Sequence, residues 1–173
     1  RDCLLSRGLG DVYKRQILNQ AERYVYIYTP YLIIDYEMLN ALCLAVKRGV
    51  DVRIVTPGIP DKKIIYRLTR SNYTPLLKAG VKIYEYLPGF IHAKSYVCDD
   101  KFAVVGSINM DYRSLYLHFE CGTYMYKTSA IQPLKEDCLE TFEKSYQVTL
   151  EDRKQRIIGR IIDALLRVLS PLL

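Results

Sequence analysis

The stretch 92–109, HAKSYVCDDKFAVVGSIN, decides how this chain is read. β-branched and aromatic residues flank Asp99-Asp100, which predicts two strands, 93–99 and 101–106, joined by a turn there. If the chain is extended at its start, His92 and Lys94 share a face, roughly 7 Å apart at ~3.4 Å per residue. Imidazole can move a proton near neutrality or act as a nucleophile, and lysine beside it is a fixed cation. Beyond Gly106, Ser107 and Asn109 are again two residues apart and share a face if the extended geometry persists. A base or nucleophile, an ammonium, a hydroxyl and an amide suit phosphorus chemistry, where oxygens carrying negative charge must be held. Such a site requires no metal and no cofactor, and the sequence offers no ligand cluster for one.

The rest of the chain is ordinary in size and unusual in aromatics. Its 173 residues fit one domain, half hydrophobic and a quarter charged, with 16 tyrosines and no tryptophan. Most of the tyrosines read as strand residues; the other use of an apolar ring with a polar tip is at a wet cleft or membrane interface. Residues 1–16, RDCLLSRGLGDVYKRQ, show neither helical nor strand periodicity and read as a non-native, adapter-derived segment, so they are set aside from fold reasoning. Without their four basic and two acidic residues the net charge falls from +6 to +4. That basic balance suits an anionic partner, phospholipid or nucleic acid, without choosing between them. Cys43, Cys98, Cys121 and Cys138 are widely spaced with no CxxC pair, which implies buried free thiols for most of them and a reducing compartment. No run approaches the ~18 apolar residues of a membrane span.

Strand and helix signals alternate over residues 17–173. Strands are expected at 23–30, 51–57, 81–86 and 119–126. Helices are expected after an Asp35 cap, over 61–79 with an interruption near Pro75, over about 130–147 and over about 151–169. This order implies one α/β sandwich, with a mixed sheet flanked by helices, parallel in its first part and carrying an antiparallel insertion with the His-Lys pair.

The complete pattern is His92-x-Lys94-x4-Asp99-x6-Gly106-Ser107-x-Asn109. Six fixed positions at ~5% usage each would arise by chance about once in 10⁷ to 10⁸ starting points. This pattern resembles the signature of the phospholipase D superfamily, the HKD motif. TPYLI (29–33), GVDVRIVTPGIPD (49–61), RSNYTPLLKAGVKIYEYLPGFIHAKS (70–95), SINMDYRSLYLHFECG (107–122) and LLRVLSPLL (165–173) extend the resemblance, specifically to the C-terminal half of a bacterial cardiolipin synthase.

The resemblance implies that two such motifs share one active site. One histidine attacks phosphorus to form a phosphohistidine, and the other protonates the leaving alcohol and deprotonates the incoming one. His92, in the second motif, would be the acid/base. Lys94 and Asn109 would hold phosphate oxygens, with Ser107 assisting. Asp99 belongs to the motif and so to the candidate catalytic set, although its place at a turn favours a structural role. Glu120 matches the family carboxylate that orients the motif histidine. His118 would share the strand face of Glu120, lining the site or the core. Arg113 reads as a structural ion-pair partner rather than a substrate clamp.

The implied reaction condenses two phosphatidylglycerols into cardiolipin and glycerol at the cytoplasmic side of a bacterial cell membrane. The implied partners are anionic phospholipid, the membrane surface, and a missing half with the first motif or a homodimer mate. One rival is a single-motif phosphodiesterase acting on nucleic acid as a homodimer; another is a non-enzymatic scaffold. In the last helix, Ile157, Ile158, Ile161, Ile162, Leu165 and Leu169 form a stripe, with Arg156, Arg160, Asp163 and Arg167 largely opposite. That stripe could lie in a membrane surface, and the reading preferred here packs it against the domain.

Overall fold

A strand can be buried on both faces only if both faces are apolar, and residues 24–28, YVYIY, meet that condition. In the computed structural model, which describes residues 9–117, 119–154 and 157–169, they form β1 (Tyr24–Tyr28), buried along its whole length. Val25 and Ile27 enter one hydrophobic cluster, and Tyr24, Tyr26 and Tyr28 enter a second on the opposite face. The hydroxyls of Tyr24 and Tyr28 reach the carboxylates of Asp100 and Asp137 at 2.8 and 2.9 Å, so each ring is buried and each polar tip satisfied. These tyrosines are strand residues, as expected.

After β1 come β2 (Leu32–Ile33), α2 (Tyr36–Lys47), β3 (Asp51–Pro57), α3 (Lys63–Ser71), α4 (Tyr73–Ala79) and β4 (Lys82–Tyr86). The hairpin β5 (Ser95–Cys98) and β6 (Phe102–Gly106) follows, then β7 (Met110–Asp111) and β8 (Gly122–Tyr126). The chain continues through α5 (Ile131–Glu143), β9 (Ser145–Val148) and α6 (Ile157–Leu169), and α1 (Leu9–Gln20) precedes β1. Seven strands form one mixed sheet in the order β8-β6-β5-β1-β3-β4-β9. β1, β3 and β4 run parallel, and β5, β6, β8 and β9 are antiparallel to their neighbours. Residues from α1, α2 and α4 build the first cluster, whereas α5 supplies Ile131, Cys138 and Phe142 to the second. The expected α/β sandwich is therefore present.

Local signals account for several boundaries. Asp35 accepts the Met38 N–H at 2.7 Å and caps α2. Other boundaries differ from the sequence-based expectation. α1 begins at Leu9, inside the segment left without an element; the inward position Lys14 hid its periodicity. Lys14 is fully buried and donates to the carbonyls of Ile108 and Asn109 at 3.1 and 2.7 Å. The helical stretch over 61–79 breaks at Asn72, whose buried amide donates to the carbonyls of Leu32 and Leu68, and Pro75 sits in the first turn of α4, where proline is tolerated. The helix expected to reach residue 147 stops at Glu143, because 145–148 pair with β4 as an edge strand.

The expectation for the last helix is reversed. Asp163 of α6 faces the domain, 6% exposed, held by Arg67 at 2.8 Å and Arg153 at 3.5 Å. Ile161, Ile162, Leu165 and Val168 lie on the outside, 39–76% exposed. A buried carboxylate gripped by two guanidinium groups sets the rotation of the helix, and these four residues follow it outward; the side chains of Ile157, Ile158 and Leu169 lie outside the description. Among the described residues, no helix is long and apolar enough to cross a membrane.

The β5–β6 turn ties the hairpin to the central strand. Asp99 and Asp100 both have positive φ, 54° and 59°, as a type I′ turn requires. The buried Asp99 carboxylate accepts three consecutive backbone N–H groups, from Glu22 at 2.7 Å, Arg23 at 2.9 Å and Tyr24 at 2.8 Å. Burial pushes the Asp99 carboxyl up, but these donors outweigh it and its pKa lies below the ordinary 3.8. A carboxylate with a depressed folded-state pKa stabilises the fold above the unfolded value and loses that contribution as pH falls through the folded value. Asp99→Asn should therefore cost about 1–3 kcal/mol at neutral pH. It should also remove part of the stability loss seen below pH 3.8 in the parent, which chemical denaturation at pH 7 and pH 3 would measure.

Candidate active site

His92 and Lys94 sit on the irregular connection that enters β5, three residues and one residue before the sheet begins. The lysine side chain folds back, so Nζ lies 2.9 Å from Nδ1 of His92, 3.3 Å from its Nε2 and 2.6 Å from its carbonyl oxygen. An ammonium has only protons to offer, so the ring nitrogen facing it must be the unprotonated acceptor of a neutral imidazole. Desolvation and the Lys94 charge both push the His92 pKa below 6.5, with Asp61 opposing them. The pair therefore presents a neutral imidazole next to a positive charge.

Two aromatic rings frame that imidazole. Phe90 stacks on it with centroids 5.6 Å apart, and Tyr31 meets it edge-on at 6.4 Å. Tyr31 donates to Asp61 at 2.6 Å, and burial followed by that bond raises its pKa to about 12, so it is a neutral donor. Phe90 is two residues from His92, and the spacing that joined His92 to Lys94 could have found it. Tyr31 comes from the β1–β2 connection, far away in sequence, with no local signal.

Gly106 is where the two limbs of the motif close. Its amide donates to the Lys94 carbonyl at 3.1 Å, and a Cβ on it would lie 2.2 Å from the Cys121 carbonyl oxygen. Only glycine permits this approach. The next amide, of Ser107, donates to the same Cys121 oxygen at 2.9 Å, and Cys121 N–H donates to Ser107 Oγ at 3.0 Å. The segment 120–122 is thus laced to the motif, and Glu120 arrives beside Ser107, whose hydroxyl donates to its Oε2.

The sequence-derived residues divide accordingly. His92, Lys94, Ser107 and Asn109 line one open cleft of about 490 Å³, together with Ala93, Gly106 and Asp137. Residues 107–109 are not strand; Ser107 and Asn109 converge because the chain bends into β7, which pairs with β2. Asn109 donates to Ser114 Oγ at 3.1 Å, and its own Oδ1 is buried without a hydrogen-bond donor among the described residues. Lys14 holds the Asn109 carbonyl from below. Asn109 also borders a second hollow of about 240 Å³ lined by Tyr31, Lys62, Asp111, Arg113 and Glu120.

Asp99 stands outside the cleft, in the structural setting that its place at a turn favours: its carboxylate caps β1 at the far end of β5 from His92. Glu120 does not orient the His92 ring in this structure; it accepts from Ser107, and its charge also raises the pKa of Lys94 against the desolvation that lowers it. His118 lies outside the described residues. Cys98 and Cys138 are buried, and burial pushes both thiols up to about 12, but Cys121 is exposed at the site, against the expectation of burial for most cysteines. Among the described residues, no group of three or more His, Cys, Asp or Glu could hold a metal ion.

Comparison with known proteins bears on the same region. Residues 15–143 match the family model described as cardiolipin synthase, PLD-like domain. The chain is 54% identical over 158 residues to an uncharacterised protein of Streptococcus mutans, covering 91% of this chain and 34% of that one. It is 42% identical over the same length to a cardiolipin synthase of Geobacillus kaustophilus, covering 32% of it. The chain thus spans about a third of the length of these relatives. Two solved structures share the fold. Nuc of Salmonella typhimurium, a phospholipase D family member, has a TM-score of 0.71 at 16% identity, over 80% of this chain and 90% of that one. Phosphatidylserine synthase of Haemophilus influenzae has a TM-score of 0.72 at 14% identity, over 94% and 42%.

The geometry makes two predictions. Titrated by NMR, His92 should protonate below the ordinary 6.5, and Lys94→Met, which removes a neighbouring cation, should raise that midpoint. Gly106→Ala should cost about 1–3 kcal/mol in thermal or denaturant unfolding, since the Cys121 backbone must move to admit the methyl group.

Proposed function

The chain belongs to the phospholipase D-like domain family of cardiolipin synthases, and from that premise we propose that it carries one of two half-sites of a phosphatidyltransferase. The reaction is transfer of a phosphatidyl group from one phosphatidylglycerol to another, giving cardiolipin and glycerol. The observation that carries this reading is the convergence of His92, Lys94, Ser107 and Asn109 on one open cleft.

In this mechanism a histidine outside this chain attacks phosphorus, forming an N–P bond as the bond to the glycerol oxygen breaks. His92, in its protonated form, gives that oxygen its proton. Neutral His92 then takes a proton from the hydroxyl of the second phosphatidylglycerol as its oxygen attacks phosphorus and the N–P bond breaks. Its depressed pKa favours the base form needed for this second step. Lys94 supplies positive charge to the non-bridging oxygens, whose charge grows in the transition state, and the Asn109 amide, whose first N–H goes to Ser114, gives them its second N–H. Phe90 and Tyr31 limit the orientations open to the ring.

The test is a chimera in which this chain replaces the aligned third of the Geobacillus kaustophilus enzyme. It should convert phosphatidylglycerol in mixed micelles to cardiolipin and glycerol in equal amounts. His92→Ala should lower the rate by about 10²–10⁴-fold. Robust His92-dependent turnover by the strictly monomeric 173-residue chain alone would sink the half-site assignment. DNA cleavage with steep salt dependence, and no cardiolipin formed, would replace the lipid substrate with nucleic acid.

A further inference from the structure

A second cationic cavity lies away from the cleft and shares no lining residue with it. It has a volume of about 510 Å³ and opens between α4, the 3-10 turn Glu151–Arg153 and α6. Lys78, Arg153, Lys154 and Arg167 line it, with Asp163 as the lining carboxylate. Asp163 is also shared with Arg67, and Lys154 pairs with Glu151 at the rim. The Arg153 side chain is only 7% exposed, and its Nε has no hydrogen-bond acceptor among the described residues. Burial, then the nearby Arg70 charge, pushes its pKa below the ordinary value, as expected where a cation is underneutralised.

The outer wall of this cavity is α6, and its outward residues are apolar. Ile161, Leu165 and Val168 are 55%, 60% and 76% exposed, and Leu150 at the cavity rim is 45% exposed. A helix with such a face above a basic recess offers two chemistries side by side. One is an anion pocket; the other is a surface for hydrocarbon. An anionic phospholipid carries both complements in one molecule, with its phosphate diester next to its acyl chains.

We propose that this cavity and the outer face of α6 form a binding site for an anionic phospholipid of a bilayer surface, separate from the reaction cleft. The phosphate lies against Lys78, Arg153 and Arg167, and the acyl chains lie along Ile161, Leu165 and Val168. The site would hold the domain on a membrane while leaving His92 and Lys94 free for a different lipid molecule. It requires no turnover, so it stands or falls independently of the reaction proposed above.

The experiment is co-sedimentation of the 173-residue chain with vesicles of phosphatidylcholine, with and without 30 mol% phosphatidylglycerol, with inorganic phosphate as soluble competitor. The chain should bind only the anionic vesicles. Lys78→Glu, which reverses one charge at an exposed position, should weaken binding about 10–30-fold. Val168→Asp should weaken it at least tenfold, and Lys101→Glu, an equal charge reversal outside both the cavity and the cleft, should leave it within about twofold. Thermal melts matching the parent confirm that each variant is folded.

Unchanged binding in folded Lys78→Glu and Val168→Asp would overturn the proposal. Loss of binding in Lys101→Glu as large as that in Lys78→Glu would also overturn it, by reducing the attraction to net charge alone. Binding of inorganic phosphate but not of vesicles would reduce the cavity to a soluble-anion site. Dimer dissociation in Val168→Asp, seen by sedimentation with vesicle binding unaltered, would assign the apolar face to a second copy of the chain.

Discussion

The Asp99 carboxylate anchors the architecture on which the site depends. By accepting the amides of residues 22–24, it fastens the β5–β6 turn to the start of the central strand. β5 and β1 are then in register along their length, from Val25 with Cys98 to Tyr28 with Ser95. That register delivers the residues before Ser95 to the end of the sheet where the loops after β1 and β3 emerge. His92 therefore meets Tyr31 because a carboxylate at the opposite end of the hairpin is held in place. The aspartate of the motif is an architectural residue whose effect is felt at the histidine.

Close backbone approach assembles the remaining half of the site. Gly106 lets the 121–122 segment lie against the motif, and the bonds between Ser107 and Cys121 hold it there. Glu120 comes along with that segment and takes the Ser107 hydroxyl. Its negative charge offsets part of the local excess of positive charge around Lys94. The result is a cleft whose imidazole is kept neutral by desolvation and then by a neighbouring ammonium, an arrangement compatible with an incoming phosphodiester whose own charge would complete the neutralisation.

On the distant face, ionic pairing overrides hydrophobic pattern. Burying Ile161, Ile162 and Leu165 would have stabilised the domain, yet Asp163 is bound to Arg67 and Arg153 and these residues are left outside. Breaking a buried charge pair is costly because the remaining charge is stranded, so the pair dictates the rotation of the helix. The cost of exposing apolar residues is offset only if something covers them.

The sequence by itself determined the features that short-range periodicity encodes. These are the buried tyrosine-rich strand, the Asp35-capped helix, the hairpin at Asp99-Asp100 and the grouping of His92 and Lys94. The spacing of Gly106, Ser107 and Asn109 belonged with them, because a motif packed into 18 residues carries its own geometry. Tertiary structure alone decided which residue each side chain would meet. Glu120 could be placed near the site from its position but not assigned to Ser107 rather than His92, since that depends on the path of the chain past Gly106. Tyr31, Lys14 and the edge strand 145–148 were invisible for the same reason: each depends on a partner dozens of residues away. The orientation of α6 was misread because hydrophobic periodicity identifies an amphipathic helix without saying which face turns inward; here two arginines from other elements made that choice.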